Sequence, residues 1–162
     1  MLSIDEQLSD ITSFLEKSAT EHSQEPDFST ESLAAIYAIA YELYKNGKYE
    51  EAKQCFRFLT LTNSFERKYW MGLAATYQML KSYSEAIECY SAAALQDFTD
   101  PYVHCHAADC FFHMGNIAKA KEALNSAIMT AKNHLELHEA LIIRLELLSE
   151  VWSNLLLGGS NG

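Results

Sequence analysis

The residues best suited to chemistry in this chain of 162 residues are two histidines and a cysteine on one helical face. His106, Cys110 and His113 are spaced i, i+4 and i+7, and Asp109 lies beside them. Imidazole and thiolate groups at this spacing could supply zinc ligands, or a cysteine nucleophile with a histidine base. The segment has no Cys-x-x-Cys pair and no third group that would orient the base. We therefore predict no metal site, no cofactor site and no catalytic residue, and no glycine-rich phosphate loop is present.

The composition argues against several other classes of function. Twelve Lys and Arg against 22 Asp and Glu give a formal net charge of −10. This charge disfavours direct binding to nucleic acid or to an anionic membrane surface. No apolar run approaches the roughly 18 residues of a membrane helix, and no secretory signal is visible at the N-terminus. Four cysteines without a paired framework indicate reduced thiols, so we expect a cytoplasmic protein.

The elements that position these residues follow a repeat. Ala52, Ala86 and Ala120 are 34 residues apart, and each follows a similar turn sequence. This period is typical of tandem helix–turn–helix units, which cannot bury their apolar faces alone and must stack. The sequence predicts an all-α superhelical solenoid within a domain spanning residues 29–162. Its three tandem hairpins are expected at about residues 33–66, 67–100 and 101–134.

Small and large residues alternate at the predicted helix contacts. Small residues let two helices approach closely, and large residues fill the space opposite them. The expected small positions are Ala40, Ala74, Ala108, Ala52, Ala86 and Ala120, and the expected large ones are Phe56, Tyr90 and Leu124. We also expect Trp70 and Trp152 to lie in the core.

Both ends of the chain depart from the repeat. Residues 1–28 are predicted to form a short helix and a linker, and the helix carries an apolar stripe of Ile4, Leu8, Ile11 and Leu15. This stripe could dock onto the first hairpin or pair with a second copy of the chain. At the other end the period fails after Ala131, and residues 134–157 are predicted to form one long capping helix.

A second stripe on the first helix of each hairpin predicts a peptide-binding groove. It is rotated by about 100° from the core stripe. In the first hairpin it carries three tyrosines, which is more aromatic surface than a helix pair needs. Tyrosine offers a wide ring face and a hydroxyl that stays hydrated. The predicted groove residues are Ala34, Tyr37, Tyr41, Tyr44, Lys68, Met71, Ala75, Gln78, Tyr102, Cys105, Asp109 and Phe112. The alternative is that these aromatics pack against the N-terminal or capping helix.

The repeat residues carry a resemblance to known families. Trp70-x-x-Leu73-Ala74-x-x-Tyr77, followed by Ala86, Tyr90 and Ala93, resembles a tetratricopeptide repeat. Three such repeats between an N-terminal and a capping helix resemble the class II chaperones of bacterial type III secretion. The similarity covers about residues 33–130. It is specific in the string His106-Ala107-Ala108-Asp109-Cys110, although the family commonly has Glu where Asp109 stands.

That resemblance implies a function and partners. Members bind hydrophobic translocator proteins in the bacterial cytoplasm and keep them soluble and separate until export. Their clients present a short, extended, proline-bounded segment to the groove. The resemblance also implies a homodimer through the N-terminal region and, in some members, a transcriptional regulator as a partner.

The alternative function is a general tetratricopeptide adaptor that holds another peptide, such as the acidic C-terminus of a heat-shock chaperone. Clamping a carboxylate needs Lys, Arg or Asn on the groove stripe. Lys68 is the single cation among the predicted groove residues, which disfavours this alternative.

Overall fold

The structure is a computed structural model that describes residue 13 and residues 28–158. Over residues 28–158 the chain forms only helices, joined by short turns, which confirms the predicted all-α fold. The helices are α1 (Thr30–Lys45), α2 (Tyr49–Thr62), α3 (Arg67–Met79), α4 (Tyr83–Gln96), α5 (Pro101–His113), α6 (Ile117–Lys132) and α7 (Leu135–Gly158). The stripe of Ile4, Leu8, Ile11 and Leu15 lies outside the described residues.

Polar side chains at the helix starts explain where α1, α5 and α6 begin, and at α6 the Asn116 side chain accepts from the Lys119 N–H at 3.1 Å. Ser29 accepts a hydrogen bond from the Ser32 backbone N–H at 3.1 Å and caps α1. Asp100 accepts from the Tyr102 N–H at 2.8 Å, and Pro101 occupies the first turn of α5. Such caps satisfy backbone donors that have no partner inside the helix.

Each helix packs mainly against its neighbours in sequence, and α1 also contacts α3. This pattern of nearest-neighbour contacts is typical of a solenoid. The hairpins are α1–α2, α3–α4 and α5–α6, and α7 packs against α6 as the cap. The first helices of the hairpins, α1, α3 and α5, together with α7, contribute most of the residues that line the cavities described below.

The core uses the expected alternation of small and large residues. The six alanines predicted at the helix contacts have exposed fractions of 0 or 1%, and Phe56, Tyr90 and Leu124 are equally buried. These residues fall into two apolar clusters, and α5 contributes to both of them. The α5 helix therefore joins the first two hairpins to the capping end of the molecule.

The two tryptophans differ in burial. Trp152 is buried as expected, whereas Trp70 packs at the edge of the core and stays partly exposed. The indole N–H of Trp70 donates to the Ser64 carbonyl at 2.8 Å, which holds the ring beside the α2–α3 turn. Its neighbour Tyr69 is the buried aromatic, because it faces α1 and packs against Tyr37. The expectation that Trp70 is a core residue is thus corrected.

Candidate functional site

The histidines and the cysteine suited to chemistry are packing residues. Cys110 is fully buried, and burial raises the pKa of its thiol to about 12. His106 stacks on Tyr90 with ring centroids 5.1 Å apart, and His113 stacks on Tyr83 at 5.4 Å. Between residues 28 and 158, no three His, Cys, Asp or Glu side chains are placed to hold a metal ion.

All four cysteines have free thiols. Burial raises the pKa of Cys55 and Cys105 to about 11 and that of Cys89 to about 12. A thiol that stays protonated at neutral pH is a poor nucleophile. Cys55, Cys89 and Cys110 therefore act as small apolar groups in the core, whereas Cys105 is partly exposed.

The first candidate site is an open cavity of about 320 Å³ between α1 and α3, which we call the tyrosine cavity. Its lining is Tyr37, Tyr41, Tyr44, Phe56, Arg67, Lys68, Met71, Gly72 and Ala75. Six of these are residues that the sequence predicted for the groove. Phe56, Arg67 and Gly72 were missed. Phe56 carries a core pattern, Arg67 precedes the first predicted stripe position of α3, and Gly72 lies between two of them.

The tyrosine rings form an apolar wall with their faces partly open. Tyr41 is 50% exposed, while Tyr37 and Tyr44 are half-buried. The Tyr37 ring packs against Phe56, with centroids 6.0 Å apart, and the Tyr44 ring lies 5.6 Å from that of Tyr49. Burial raises the pKa of Tyr37 and Tyr44, so their hydroxyls remain protonated donors. Packing against the core fixes these rings before any ligand arrives.

The other wall of the tyrosine cavity is built by α3. The Lys68 ammonium lies 5.3 Å from the centre of the Tyr37 ring, which is cation–π distance. Arg67 forms an ion pair with Asp100 at the start of α5. Gly72 has no side chain at a point where a methyl group would overlap the Phe56 ring. The absence of this methyl group lets the Phe56 ring pack directly against α3 in the lining of the cavity.

A second cavity of about 510 Å³ lies between α5 and α7, and we call it the capping cavity. Its lining is Tyr102, Cys105, His106, Asp109, Leu124, Ala140, Leu141, Arg144, Leu145, Leu148 and Trp152. Tyr102, Cys105 and Asp109 belong to the predicted groove. The α7 residues were missed as site residues, although Leu141, Leu145, Leu148 and Trp152 form the inward stripe of the predicted capping helix.

A polar bridge lies between the two cavities and links α3 to α5. The Gln78 amide donates to the Asp109 carboxylate at 2.6 Å, and the Tyr90 hydroxyl donates to the Gln78 carbonyl at 2.8 Å. The His113 Nε2 lies 3.5 Å from the other Asp109 oxygen. Gln78 is therefore part of the bridge, and Asp109 belongs to both the bridge and the capping cavity.

Besides Gln78, which belongs to the bridge, two predicted groove residues line neither cavity. Phe112 stacks on Trp152 with ring centroids 4.8 Å apart and planes 12° apart. The alternative of packing against the capping helix therefore applies to Phe112, because Trp152 of α7 covers its ring. Ala34 is exposed in the first turn of α1.

In the described part of the chain, no helix combines the length and apolar character that crossing a membrane requires.

Comparisons with known proteins agree with this architecture. The tetratricopeptide repeat family matches residues 33–61, 68–97 and 101–134. The chain is 33% identical over 98 residues to low calcium response locus protein H of Yersinia pestis. The match covers 60% of this chain, and the chain spans only 58% of the length of that curated relative.

Solved structures extend the similarity over more of the chain. The Yersinia enterocolitica type III secretion translocator chaperone SycD has a TM-score of 0.70 at 30% identity, covering 78% of this chain and 87% of SycD. A further SycD structure is of an alternative dimer. PcrH of Pseudomonas aeruginosa, in complex with the chaperone binding region of PopD, has a TM-score of 0.73 at 30% identity. That match covers 81% of this chain and 98% of PcrH.

Proposed function

Because the chain belongs to the tetratricopeptide-repeat chaperones of type III secretion translocators, we propose that it binds a hydrophobic translocator protein in the bacterial cytoplasm. Binding keeps the client soluble, and separate from other translocators, until export. The client contributes an extended segment that lies in the tyrosine cavity. PcrH, which resembles this chain over most of its length, has been solved with the chaperone binding region of PopD.

The observation that carries this proposal is the open aromatic wall of the tyrosine cavity. A volume of about 320 Å³ holds a few side chains, whereas a helix with its side chains is about 10 Å wide. The cavity therefore fits an extended segment better than a helix. Burying one leucine side chain of the client there would stabilise the complex by about 1.5–3 kcal/mol. Met71 can adjust to different side chains because its thioether chain is flexible.

The charge of the molecule supports the role of a solubilising partner. The net charge of −10 makes copies of the chain repel one another. A client whose apolar segment is buried in the cavity would be part of a negatively charged complex, and such complexes repel one another. Binding without turnover is sufficient for the role.

The first test is a titration with the hydrophobic secreted protein encoded nearest to this chain in the genome. Tyr41→Ala should weaken binding by about 1–3 kcal/mol, as expected for an aromatic anchor. Half of the Tyr41 side chain is exposed, so its loss leaves the fold intact. Phe65→Ala is the matched control, because Phe65 is 90% exposed and lies outside both cavities. Equal affinities for Tyr41→Ala, Phe65→Ala and the unchanged chain would reject the tyrosine cavity as the site.

Co-expression tests the chaperone activity itself. A client that is insoluble alone should become soluble in a one-to-one complex with this chain. A client that stays insoluble would count against the proposal.

Two further partners follow from the family resemblance: a second copy of the chain and a transcriptional regulator. The stripe of Ile4, Leu8, Ile11 and Leu15 is the candidate surface for the second copy. Light scattering with and without residues 1–20 tests it, because only pairing through this stripe predicts a change in oligomeric mass. The regulator would be identified by co-purification with this chain in the absence of client.

A further inference from the structure

The capping cavity differs in chemistry from the tyrosine cavity. Its floor is apolar and comes mostly from α7, with Leu141, Leu145, Leu148 and Trp152. Its rim is polar and charged, with Tyr102, His106, Asp109 and Arg144. A site that combines an apolar floor with a few polar groups at its mouth is the usual composition of a ligand pocket.

Of the residues that the structure describes, Arg144 is the one Lys or Arg side chain that lines this cavity. Its side chain is exposed, and among residues 28–158 it has no carboxylate partner. Asp109, the rim carboxylate, is engaged by Gln78 and faces His113. Burial lowers the pKa of His106, so its ring is neutral at pH 7. The cavity therefore presents one guanidinium that pairs with no carboxylate among residues 28–158, together with a carboxylate that already accepts a hydrogen bond from Gln78.

We propose that the capping cavity is a second peptide subsite, selective for a segment that pairs an apolar side chain with a carboxylate. The apolar side chain enters the floor formed by α7, and the carboxylate pairs with the Arg144 guanidinium. The inference rests on the proposed function, because the segment belongs to the same translocator client. The two cavities then select different parts of the client: an apolar segment at α1 and α3, and an acidic apolar segment at α5 and α7.

Trp152 provides a direct reporter for this subsite. It lines the capping cavity, and Trp70 is the other of the two tryptophans in the chain. Trp70→Phe leaves Trp152 as the only tryptophan, so a fluorescence change reports a change at the capping cavity. The probe is an acetylated and amidated heptapeptide with three leucines and two glutamates. Matched peptides carry glutamine or lysine in place of both glutamates.

In the Trp70→Phe background, the glutamate peptide should shift Trp152 fluorescence and bind about fivefold more tightly than the glutamine peptide. The lysine peptide should bind most weakly. Arg144→Gln should remove the preference for glutamate, because it removes the guanidinium and leaves the apolar floor. Arg57→Gln is the matched control on the exposed surface of α2, and it should leave the preference unchanged.

Several results would overturn the inference. One is equal affinity for the three peptides, and another is a glutamate preference that survives Arg144→Gln. A Trp152 signal that depends on protein concentration without peptide would assign the cavity to a second copy. A signal that changes with Leu8→Asp in the full chain would assign it to this chain's own N-terminal stripe.

The inference and the proposed function fail in different ways. If the client binds and Tyr41→Ala weakens it, but no peptide shifts Trp152 fluorescence, only the second subsite is wrong. If no translocator binds while the glutamate peptide still depends on Arg144, the subsite stands as a peptide site and the translocator function is wrong.

Discussion

Gly72 connects the packing of the second hairpin to the shape of the tyrosine cavity. It lies in α3 and lines the cavity, and the space for its missing side chain is taken by the Phe56 ring from α2. Phe56 is itself buried in the core, so its ring has little room to move. A glycine inside a helix ordinarily costs about 1 kcal/mol relative to alanine. Here the close contact between two helices explains why the chain keeps it.

We predict that Gly72→Ala lowers the free energy of unfolding by about 1–2 kcal/mol, although alanine favours helix formation. The added methyl group would displace the Phe56 ring toward the cavity or into the core. Urea unfolding monitored by circular dichroism measures the change.

A double-mutant cycle identifies the cause of that loss. In a Phe56→Leu background the smaller side chain leaves room for the methyl group, so Gly72→Ala should no longer destabilise the chain. An equal loss in both backgrounds would show that the ring contact is not the reason.

At the scale of the helical hairpin, the turns inside the three repeats share one backbone conformation with different residues. Gly47 and Gly115 have φ of 75° and 77°, and the equivalent residue of the second hairpin, Lys81, has φ of 61°. No atom lies close enough to the two glycines to exclude a side chain. Glycine is therefore favoured at these two positions by the backbone conformation, because the Cβ of an L-residue is strained in the left-handed region.

We predict that Lys81→Gly raises the free energy of unfolding by about 0.5–1 kcal/mol, because it relieves this strain. The reverse change, Gly115→Lys, should lower the free energy of unfolding by about 1 kcal/mol and serves as the matched control. Thermal and urea unfolding of both variants measure the effect. Destabilisation by Lys81→Gly would mean that the lysine side chain contributes more than the backbone strain costs.

At the scale of the whole molecule, α5 joins the two apolar clusters and carries three of the six histidines. Burial lowers the pKa of His104 and His106, while Asp100 and Asp109 partly oppose this effect. The unfolded chain, with histidine pKa values near 6.5, binds more protons than the folded chain in mildly acidic solution. Folding stability should therefore fall as the pH drops through this range.

We predict that the free energy of unfolding decreases between about pH 7.5 and about pH 5, where neutral imidazoles must become charged. His104→Gln combined with His106→Gln should reduce this dependence, because glutamine does not titrate. Urea unfolding of the two proteins at both pH values gives the comparison. The same pH dependence in both proteins would assign it to other groups.

The repeat and the core could be predicted from the sequence because both depend on local periodicity. Ala52, Ala86 and Ala120 recur every 34 residues, and each is fully buried where its helix meets a neighbour. Helical spacing decides which residues share a face, so a residue of the right size in the right register becomes a core residue. The tyrosine stripe of α1 could be predicted for the same reason.

The solvent exposure of the predicted groove residues depended on the tertiary structure. Tyr41 and Phe112 are both aromatic members of predicted groove stripes, yet Tyr41 is half exposed and Phe112 is stacked on Trp152. The difference arises because α7, which packs against α6, brings Trp152 against the ring of Phe112. The two residues are 40 positions apart in the sequence. The same packing creates the capping cavity from residues of α5, α6 and α7.

The all-α solenoid, its repeat and the small and large positions that pack its helices are therefore readable from the local pattern of residues. Which aromatic rings remain accessible, and that α7 forms one wall of a second cavity, became visible only in the folded chain. The two kinds of property depend on residues at different separations in the sequence. Helix register is a property of neighbouring residues, whereas exposure depends on helices that lie far apart in sequence and meet only in the folded chain.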